Sequence, residues 1–528
     1  MNVTFSPLRA FKKATLALGL SAIVAAAGAQ TVTAVLHAPL RGLDPVMGTP
    51  YMFRNYGYMV YDTLLALDAD NKVQPQMADW KVSADGKTYA FTLRDGLKWH
   101  DGKPVTADDC VASIKRWMQY DKLGALMADA LADSKVTGEK TFELSFKQPT
   151  QIVLQALSKP SGVAPFMMPK TVIDAADGKQ ITATIGSGPF KFVAGDYKPG
   201  VQAVFVKNTD YVPRKEPASG LAGGKVVKVD KVRWVVMPDT MTAVNALQSG
   251  EIDMIEMMPH DMLPMIEGNS DLYYSAYRKQ AFQNMARLNF VQPPFNNLKI
   301  RQAAMLALGQ KQVLEAQSGN PKLFRVCAAA FGCDSPYASN FGADKYGKAQ
   351  PDKAKALLKE AGYDNAPIVL LNATDTPNVA TMSTVIAEQL KAGGFNVQMV
   401  NSDIGAWIAR RLSKAAPSAG GWNIFATSNV LPEVSNPLGF APVSAAGEKA
   451  YLGWPDIPAI EQTRAALAAA PSEADRKKIA AQLDREVIEQ VLYIPLGEFD
   501  AITAKRKSIQ NQLDAPAPVF WNLTKTGK

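Results

Sequence analysis

The sequence predicts an α/β protein of two lobes, with a mainly antiparallel subdomain inserted into the first. Two strand–helix–strand patterns more than a hundred residues apart predict the lobes, since each implies parallel strands and a right-handed crossover. Closely spaced Asp-Gly turns around an alternating strand predict the insertion. A chain of 528 residues also exceeds what one hydrophobic core usually serves.

Taken in order, residues 1–29 read as an export signal. Arg9, Lys12 and Lys13 form a basic front, Ala14 to Ala26 is small and apolar, and Ala27-Gly28-Ala29 supplies an A-x-A cleavage site before Gln30. The apolar run is shorter than the roughly 20 residues a membrane-spanning helix needs. No cysteine lies there to carry a lipid, so the expected mature protein is free in the periplasm. From Val73 to Val105 the pattern is antiparallel: Lys87 to Leu93 alternates, among turn signals at Asp85-Gly86, Asp95-Gly96 and Asp101-Gly102. Thr106-Ala107-Asp108-Asp109 then forms a capping box for a helix with Val111, Ile114, Trp117 and Met118 on its apolar face. Cys110 beside that face reads as a core thiol.

The first α/β unit runs from a strand at Val229–Met237, through a helix capped by Asp239-Thr240 and stopped by Gly250, to a strand at Ile252–Ile255. Pro351-Asp352 opens a further helix with Ala354, Leu357, Leu358 and Ala361 on one face. The second unit consists of Ile368–Leu371, a helix from Val379 to Lys391, the break Gly393-Gly394, and Phe395–Val400.

Charge and chemistry narrow the function. Residues 1–29 carry three basic and no acidic residues, so their removal lowers the formal charge from +8 to +5. With no run of five or six like charges, this mild balance argues against nucleic acid or an anionic membrane as partner. Cys327 and Cys333 flank a short loop and read as a disulfide in an oxidising compartment, worth about 2 to 2.5 kcal/mol on the loop-length model. His37, His100 and His260 stand in no metal-ligand or triad spacing, and H-E-x-x-H, G-x-S-x-G and Walker A motifs are absent. Gly186-Ser187-Gly188-Pro189-Phe190 resembles a phosphate loop, but Pro189 removes an N–H where cradling needs one. The enzyme alternative left open is a secreted carboxylate-dependent hydrolase whose acids meet only in space, which turnover of the bound compound would reveal. A holder of unfolded chains, the third reading, would bind broadly and weakly.

Several stretches occur in a telling order: Leu43-Asp44-Pro45, the run from Leu93 through Trp99-His100-Asp101-Gly102 to Asp109, Ile185 to Phe190, Gly250-Glu251-Ile252-Asp253, and Pro294-Phe295 through Lys299-Ile300-Arg301-Gln302-Ala303. Together they resemble solute-binding family 5 of bacterial ABC importers, the dipeptide-, oligopeptide- and nickel-binding proteins, across essentially the whole mature chain. The resemblance implies a bilobal periplasmic-binding-protein fold. Lobe I would comprise residues 31–62, 184–281 and 500–528, the inserted subdomain 63–183, and lobe II 282–499, with hinge crossings near Ala281 and Asp500. It further implies a monomeric, non-enzymatic receptor without metal or cofactor. Such a receptor closes on a small solute or short peptide and delivers it to permease and ATPase subunits.

The resemblance also nominates ligand residues, in the stretches Tyr51–Tyr56 and Gly421–Asn429. Trp422, set between Gly-Gly and a polar run, would anchor one wall with Thr427, Ser428 and Asn429. Trp407, Arg410 and Arg411 share a helix face by i, i+3 and i+4 spacing and would join it. Tyr51, Phe53 and Arg54 would form the opposite wall. Peptide-binding relatives carry an acidic residue soon after this Trp for the peptide amine, whereas here Asn423 to Pro432 holds none and Glu433 is the first carboxylate. The expected ligand is therefore a small, partly apolar or anionic solute gripped by aromatic faces and Arg. Nickel as a chelate is disfavoured by the scattered histidines.

Overall fold

Eleven strands form one sheet that runs through the whole molecule in a computed structural model describing residues 30–48, 50–343, 345–470 and 472–527. The export signal at 1–29 lies outside the described residues. From one edge the order is Val397–Ser402, Ile368–Ala373, Ile424–Val430, Leu272–Leu288, Tyr493–Arg506, Met254–Ile255, Thr31–Val35, Lys231–Val235, Gln202–Lys207 and Phe190–Phe192, with Phe324–Arg325 paired to Tyr493–Arg506 off this path. The half ending at Val397–Ser402 is lobe II and the half ending at Phe190–Phe192 is lobe I. Between them run two antiparallel strands of 17 and 14 residues, longer than the usual 3–10, which reach from one lobe into the other.

Both sequence-predicted α/β units are present, with one difference. In lobe II, Ile368–Ala373 pairs directly and in parallel with Val397–Ser402. In lobe I, Lys231–Val235 and Met254–Ile255 are not partners, because Thr31–Val35 lies between them and pairs in parallel with each. A local pattern cannot show this interposition, since the middle strand arrives from two hundred residues away. The crossover helix Thr240–Ser249 is capped by Asp239, whose side chain accepts the Thr242 amide, and ends at Gly250 in the left-handed region.

The inserted subdomain carries a four-stranded antiparallel sheet, ordered Ala78–Val82, Thr88–Leu93, Thr141–Phe146 and Leu131–Gly138. The Thr106/Asp109 capping box forms as read and opens the helix Ala107–Tyr120. The Gly-Ser-Gly-Pro-Phe stretch joins the insert to lobe I. The Gly188 amide donates to the Val60 carbonyl at the end of the first helix, and the Gly186 carbonyl accepts the His100 amide of the insert. A Cβ on Gly186 would lie 1.9 Å from the Val60 oxygen, so only glycine allows this approach. The motif is a packing junction.

Cys327 and Cys333 are disulfide-linked, and Cys110 is unpaired and fully buried, with burial pushing its thiol pKa upward. Thiol labelling of unfolded protein without reductant should therefore modify one cysteine, and with reductant three; three without reductant would contradict the pairing. Among the described residues, no helix is long and apolar enough to cross a membrane.

Candidate functional site

The first helix, Tyr51–Val60, brings lobe I into contact with lobe II. Its leading residue, Tyr51, donates its hydroxyl to Glu433 Oε2 at 3.1 Å and accepts the Val430 amide at 3.2 Å. The Tyr51 ring stands 6.2 Å from that of Phe282, which stacks on Phe499 at 5.4 Å and 14°. Val430 opposes Phe282 in the ladder, so aromatic floor and polar rim come from neighbouring strands. Met257 and Phe324 pack against the same cluster.

A second crossing is made by His260. Its Nδ1 lies 2.7 Å from Ser318 Oγ and its Nε2 lies 3.0 Å from the Asp500 carbonyl. A carbonyl only accepts, so Nε2 carries a hydrogen; in the neutral ring Nδ1 accepts from Ser318. Burial lowers the His260 pKa and favours that neutral form.

The insert supplies a third side. Ser161 Oγ accepts from Arg54 Nη1 at 2.8 Å, the Pro160 carbonyl accepts from Tyr58, and Lys159 pairs with Asp121. A Cβ on Gly162 would be 3.5 Å from both Glu433 Oε1 and Lys159 Nζ, so this insert segment abuts the lobe II carboxylate.

The charges here respond to burial in opposite ways. Burial lifts the Glu433 pKa above the ordinary carboxylate value, against the pull of Lys159 and Tyr51. Burial acts the same way on Glu256, but the His37 ring and amide, with the Arg54 charge behind them, outweigh it and hold that pKa down. Burial also lowers the Arg54 pKa, and pushes the Tyr51 phenol well up, with Glu433 adding to the latter.

Behind the aromatic floor the ladder between the two long strands breaks. Tyr277 pairs with Ala501 and Phe282 with Phe499, leaving residues 278–281 opposite Asp500 alone. Arg278 ties this bulge down by donating to Asp500, Glu498 and Asp334, while Arg325 donates to Glu498 and Asp334. The Cys333 amide completes the cage around Glu498 at 2.9 Å. Arg325 and Arg278 hold the Asp334 carboxyl below its usual range.

This arrangement suits binding better than catalysis. Ser318, His260 and Asp500 do not make a triad, because His260 faces the main-chain carbonyl of Asp500 while the Asp500 carboxylate is held by Arg278. Among the described residues, the one His/Cys/Asp/Glu grouping tight enough for a metal is Cys327, Cys333 and Glu498, and its sulfurs are bonded to each other.

The sequence-nominated residues divide into two groups. Tyr51 and Arg54 lie where the lobes meet, and Thr427, Ser428 and Asn429 are half-buried on the strand leading to Val430, with Ser428 donating to Asn284 at 2.7 Å. Trp422 is elsewhere. It is 0% exposed in a lobe II cluster with Trp407, Phe425 and Trp454, and its indole N–H donates to the Arg411 carbonyl at 3.0 Å. Arg411 stacks 3.9 Å from the Trp407 ring centroid, and Arg410 donates to the Gly421 carbonyl. Trp422, Trp407, Arg410 and Arg411 thus do share a neighbourhood, but the two tryptophans are lobe core under the helix Ile404–Arg411, and the two arginines sit half-buried at its edge. Phe53 also turns away, filling the space beside Gly42 and Gly48. Glu433, Phe282, Phe499, His260 and Ser161 were not nominated. They come from five separate stretches, and only Glu433, as the first carboxylate after Trp422, and His260, as one of three scattered histidines, had drawn notice.

Comparison with known proteins decides the family. The model of bacterial extracellular solute-binding proteins, family 5 middle, matches residues 72–439. The chain belongs to this family. It is 38% identical over 513 residues to the "Probable peptide ABC transporter periplasmic-binding protein y4tO" of Sinorhizobium fredii, covering 96% of this chain and 95% of that one. It is 25% identical to the nickel-binding periplasmic protein of Escherichia coli, with 94% of each chain covered. The fold matches the agropinic-acid complex of AgaA from A. tumefacien R10 with a TM-score of 0.79 at 20% identity, covering 94% of this chain and 99% of that one. The peptide complex of DppA from Helicobacter pylori matches with a TM-score of 0.78 at 18% identity, covering 94% and 98%. This family 5 member is a periplasmic substrate-binding receptor of an ABC importer for a small solute or peptide-like ligand, and its family and fold are those of non-catalytic solute-binding proteins.

Proposed function

We propose that the receptor captures its solute where Tyr51 meets Val430 and Glu433, over the Phe282/Phe499 floor, and that it closes about the bulge at 278–281 and Asp500. The Tyr51 crossing carries this reading: a lobe I phenol that finds donor and acceptor partners on lobe II, beside stacked aromatics, has the mixed apolar and polar character of a ligand site. The interrupted ladder supports the hinge, since four residues facing one are held by side-chain ion pairs in place of ladder hydrogen bonds. Closure is favoured to the extent that the solute contacts both walls in the closed state. A monomer suffices for this, with the permease and its ATPase reading the closed form.

Ligand should compact the protein. Small-angle scattering on protein purified without unfolding, compared with protein stripped of its cargo by unfolding and refolding, should show a smaller radius of gyration for the loaded form. Native mass spectrometry establishes loading separately. An unchanged radius with loading confirmed counts against the hinge.

A further inference from the structure

The inserted subdomain meets lobe II as well as lobe I, and the two junctions differ in kind. To lobe I the insert is joined by main chain and buried charge: the His100 amide donates to the Gly186 carbonyl, the Met167 amide donates to the Asp62 carbonyl at 2.9 Å, and Arg116 pairs with Asp44. To lobe II, among the described residues, no main-chain hydrogen bond or strand pairing runs from the insert. Side chains make that contact. Arg476 of lobe II, its side chain 12% exposed, donates from Nε and Nη2 to Glu473 Oε2 at 3.0 and 2.6 Å and reaches with Nη1 to Gln151 Oε1 of the insert at 2.8 Å. The Arg476 charge also acts on Tyr89 of the insert, whose phenol pKa burial raises and Arg476 draws back. Tyr337 of lobe II stands at the same place: burial raises its pKa, Glu473 adds to that, and Arg476 and Gln155 of the insert oppose it. At a second place Lys122 Nζ of the insert donates to the Lys449 carbonyl at 3.2 Å, and a Cβ on Gly439 would lie 3.5 Å from Leu123 Cδ2.

A junction of main-chain bonds and a buried ion pair holds through a hinge motion, whereas a junction of side-chain tips at the surface comes apart and re-forms. We propose that the insert is a clasp: carried by lobe I, it grips lobe II through Gln151 with Arg476 and through Lys122 with Lys449 when the lobes close, and so sets the balance between open and closed forms from outside the Tyr51 contact. This rests on the reading of the 278–281 bulge as the hinge. Glu473 is a positioning residue, since it holds two of the Arg476 nitrogens and aims Nη1 at the insert. A contact made only in the closed form favours that form by its own free energy whatever solute is present, so it changes every affinity by one common factor. Exposed polar pairs are individually weak, which keeps the clasp releasable.

The test is a charge series at Gln151, an exposed position. Gln151→Glu sets a carboxylate against the Arg476 guanidinium and should raise the ratio of closed to open protein about two- to fivefold. Gln151→Lys sets a cation there and should lower the ratio by a similar factor, and both shifts should shrink in about 1 M salt. Lys122→Ala should lower it about twofold through the second contact. The ratio is read from electron-spin distance distributions between labels on Asp133→Cys in the insert and Lys353→Cys in lobe II, both exposed, in stripped protein and in protein purified without unfolding. The disulfide and the buried Cys110 leave only these two thiols to label. Circular dichroism identifies a Gln151 variant that has failed to fold, and Lys122→Ala then carries the test. Closed fractions that rank Gln151→Glu above wild type and wild type above Gln151→Lys support the clasp. Equal fractions in all of these stripped proteins, with a different distance in loaded wild type, overturn the clasp and leave the hinge standing. One distance in loaded and stripped wild type alike overturns both.

Discussion

Trp422→Ala should destabilise lobe II by about 3–5 kcal/mol, the range for truncating a large buried aromatic, and leave ligand affinity in the folded protein within about twofold. Trp422 is 0% exposed, meets Phe425 edge-on at 4.9 Å and Trp454 at 6.1 Å, and donates its indole N–H to the Arg411 carbonyl. Truncation opens a cavity and leaves that carbonyl unpaired. The effect on ligand is small for a geometric reason. Val430 lies eight positions beyond Trp422, and at about 3.3 Å per residue the extended chain, strand from Ile424 on, carries the site about 26 Å away. Trp422→Phe should retain most of the packing and lose about 1–2 kcal/mol, chiefly the hydrogen bond. Chemical unfolding of the three proteins, with titration of their co-purifying ligand, checks both halves. A folded Trp422→Ala protein that binds thirtyfold more weakly would restore Trp422 to the cleft wall.

That contrast shows how far the sequence is legible. A Trp between two glycines and a polar run is poor core patterning only while the neighbouring chain is unseen. Trp407 and Trp454 close over it from two other segments, beside Phe425 of its own, and no local periodicity announces them. Elements whose causes are local were readable: the Thr106/Asp109 capping box and the Asp239 cap and Gly250 stop form where expected, and so does the parallel pair in lobe II, its second strand shifted two residues to Val397–Ser402. Interposition of Thr31–Val35 between the two strands of the first unit was not, because it depends on long-range order.

The site follows the same division. Tyr51 and Arg54 could be nominated because they lie in one contiguous stretch that the resemblance points to, and the structure places both at the lobe contact. Phe282, Phe499, Glu433 and His260 acquire meaning only when the two long strands bring residues two hundred apart within ring-stacking distance. The lack of an acid from Asn423 to Pro432 is real, yet Glu433, one residue beyond, is the group that meets Tyr51.

Asp44→Ala should cost about 3–5 kcal/mol, because it removes one half of a buried ion pair and strands several donors at once. Asp44 is 0% exposed. Its Oδ1 accepts the Val46 and Met47 amides and Arg116 Nη1, and its Oδ2 accepts Arg116 Nη2 at 2.5 Å and the Ile181 amide at 2.8 Å. A carboxylate offers about four lone-pair sites, more than any neutral side chain, and the five donors share them, three on Oδ1 and two on Oδ2. Those bonds join the segment after the first strand, the insert helix Ala107–Tyr120 and the return segment near Ile181, so Asp44 holds the insert to lobe I. This is a physical reason for Leu43-Asp44-Pro45 to recur as a motif, independent of any ligand. Asp44→Asn keeps one acceptor oxygen and should lose roughly half as much. Arg116→Met alone should also destabilise, by stranding the Asp44 charge. The double variant Asp44→Ala with Arg116→Met removes both buried charges and should be less destabilised than the sum of its single variants by about 1.5 kcal/mol or more. Unfolding midpoints of the four proteins give this coupling directly. An Asp44→Ala midpoint within about 1 kcal/mol of wild type, or additive single effects, would mean that the insert is held by its apolar contacts alone.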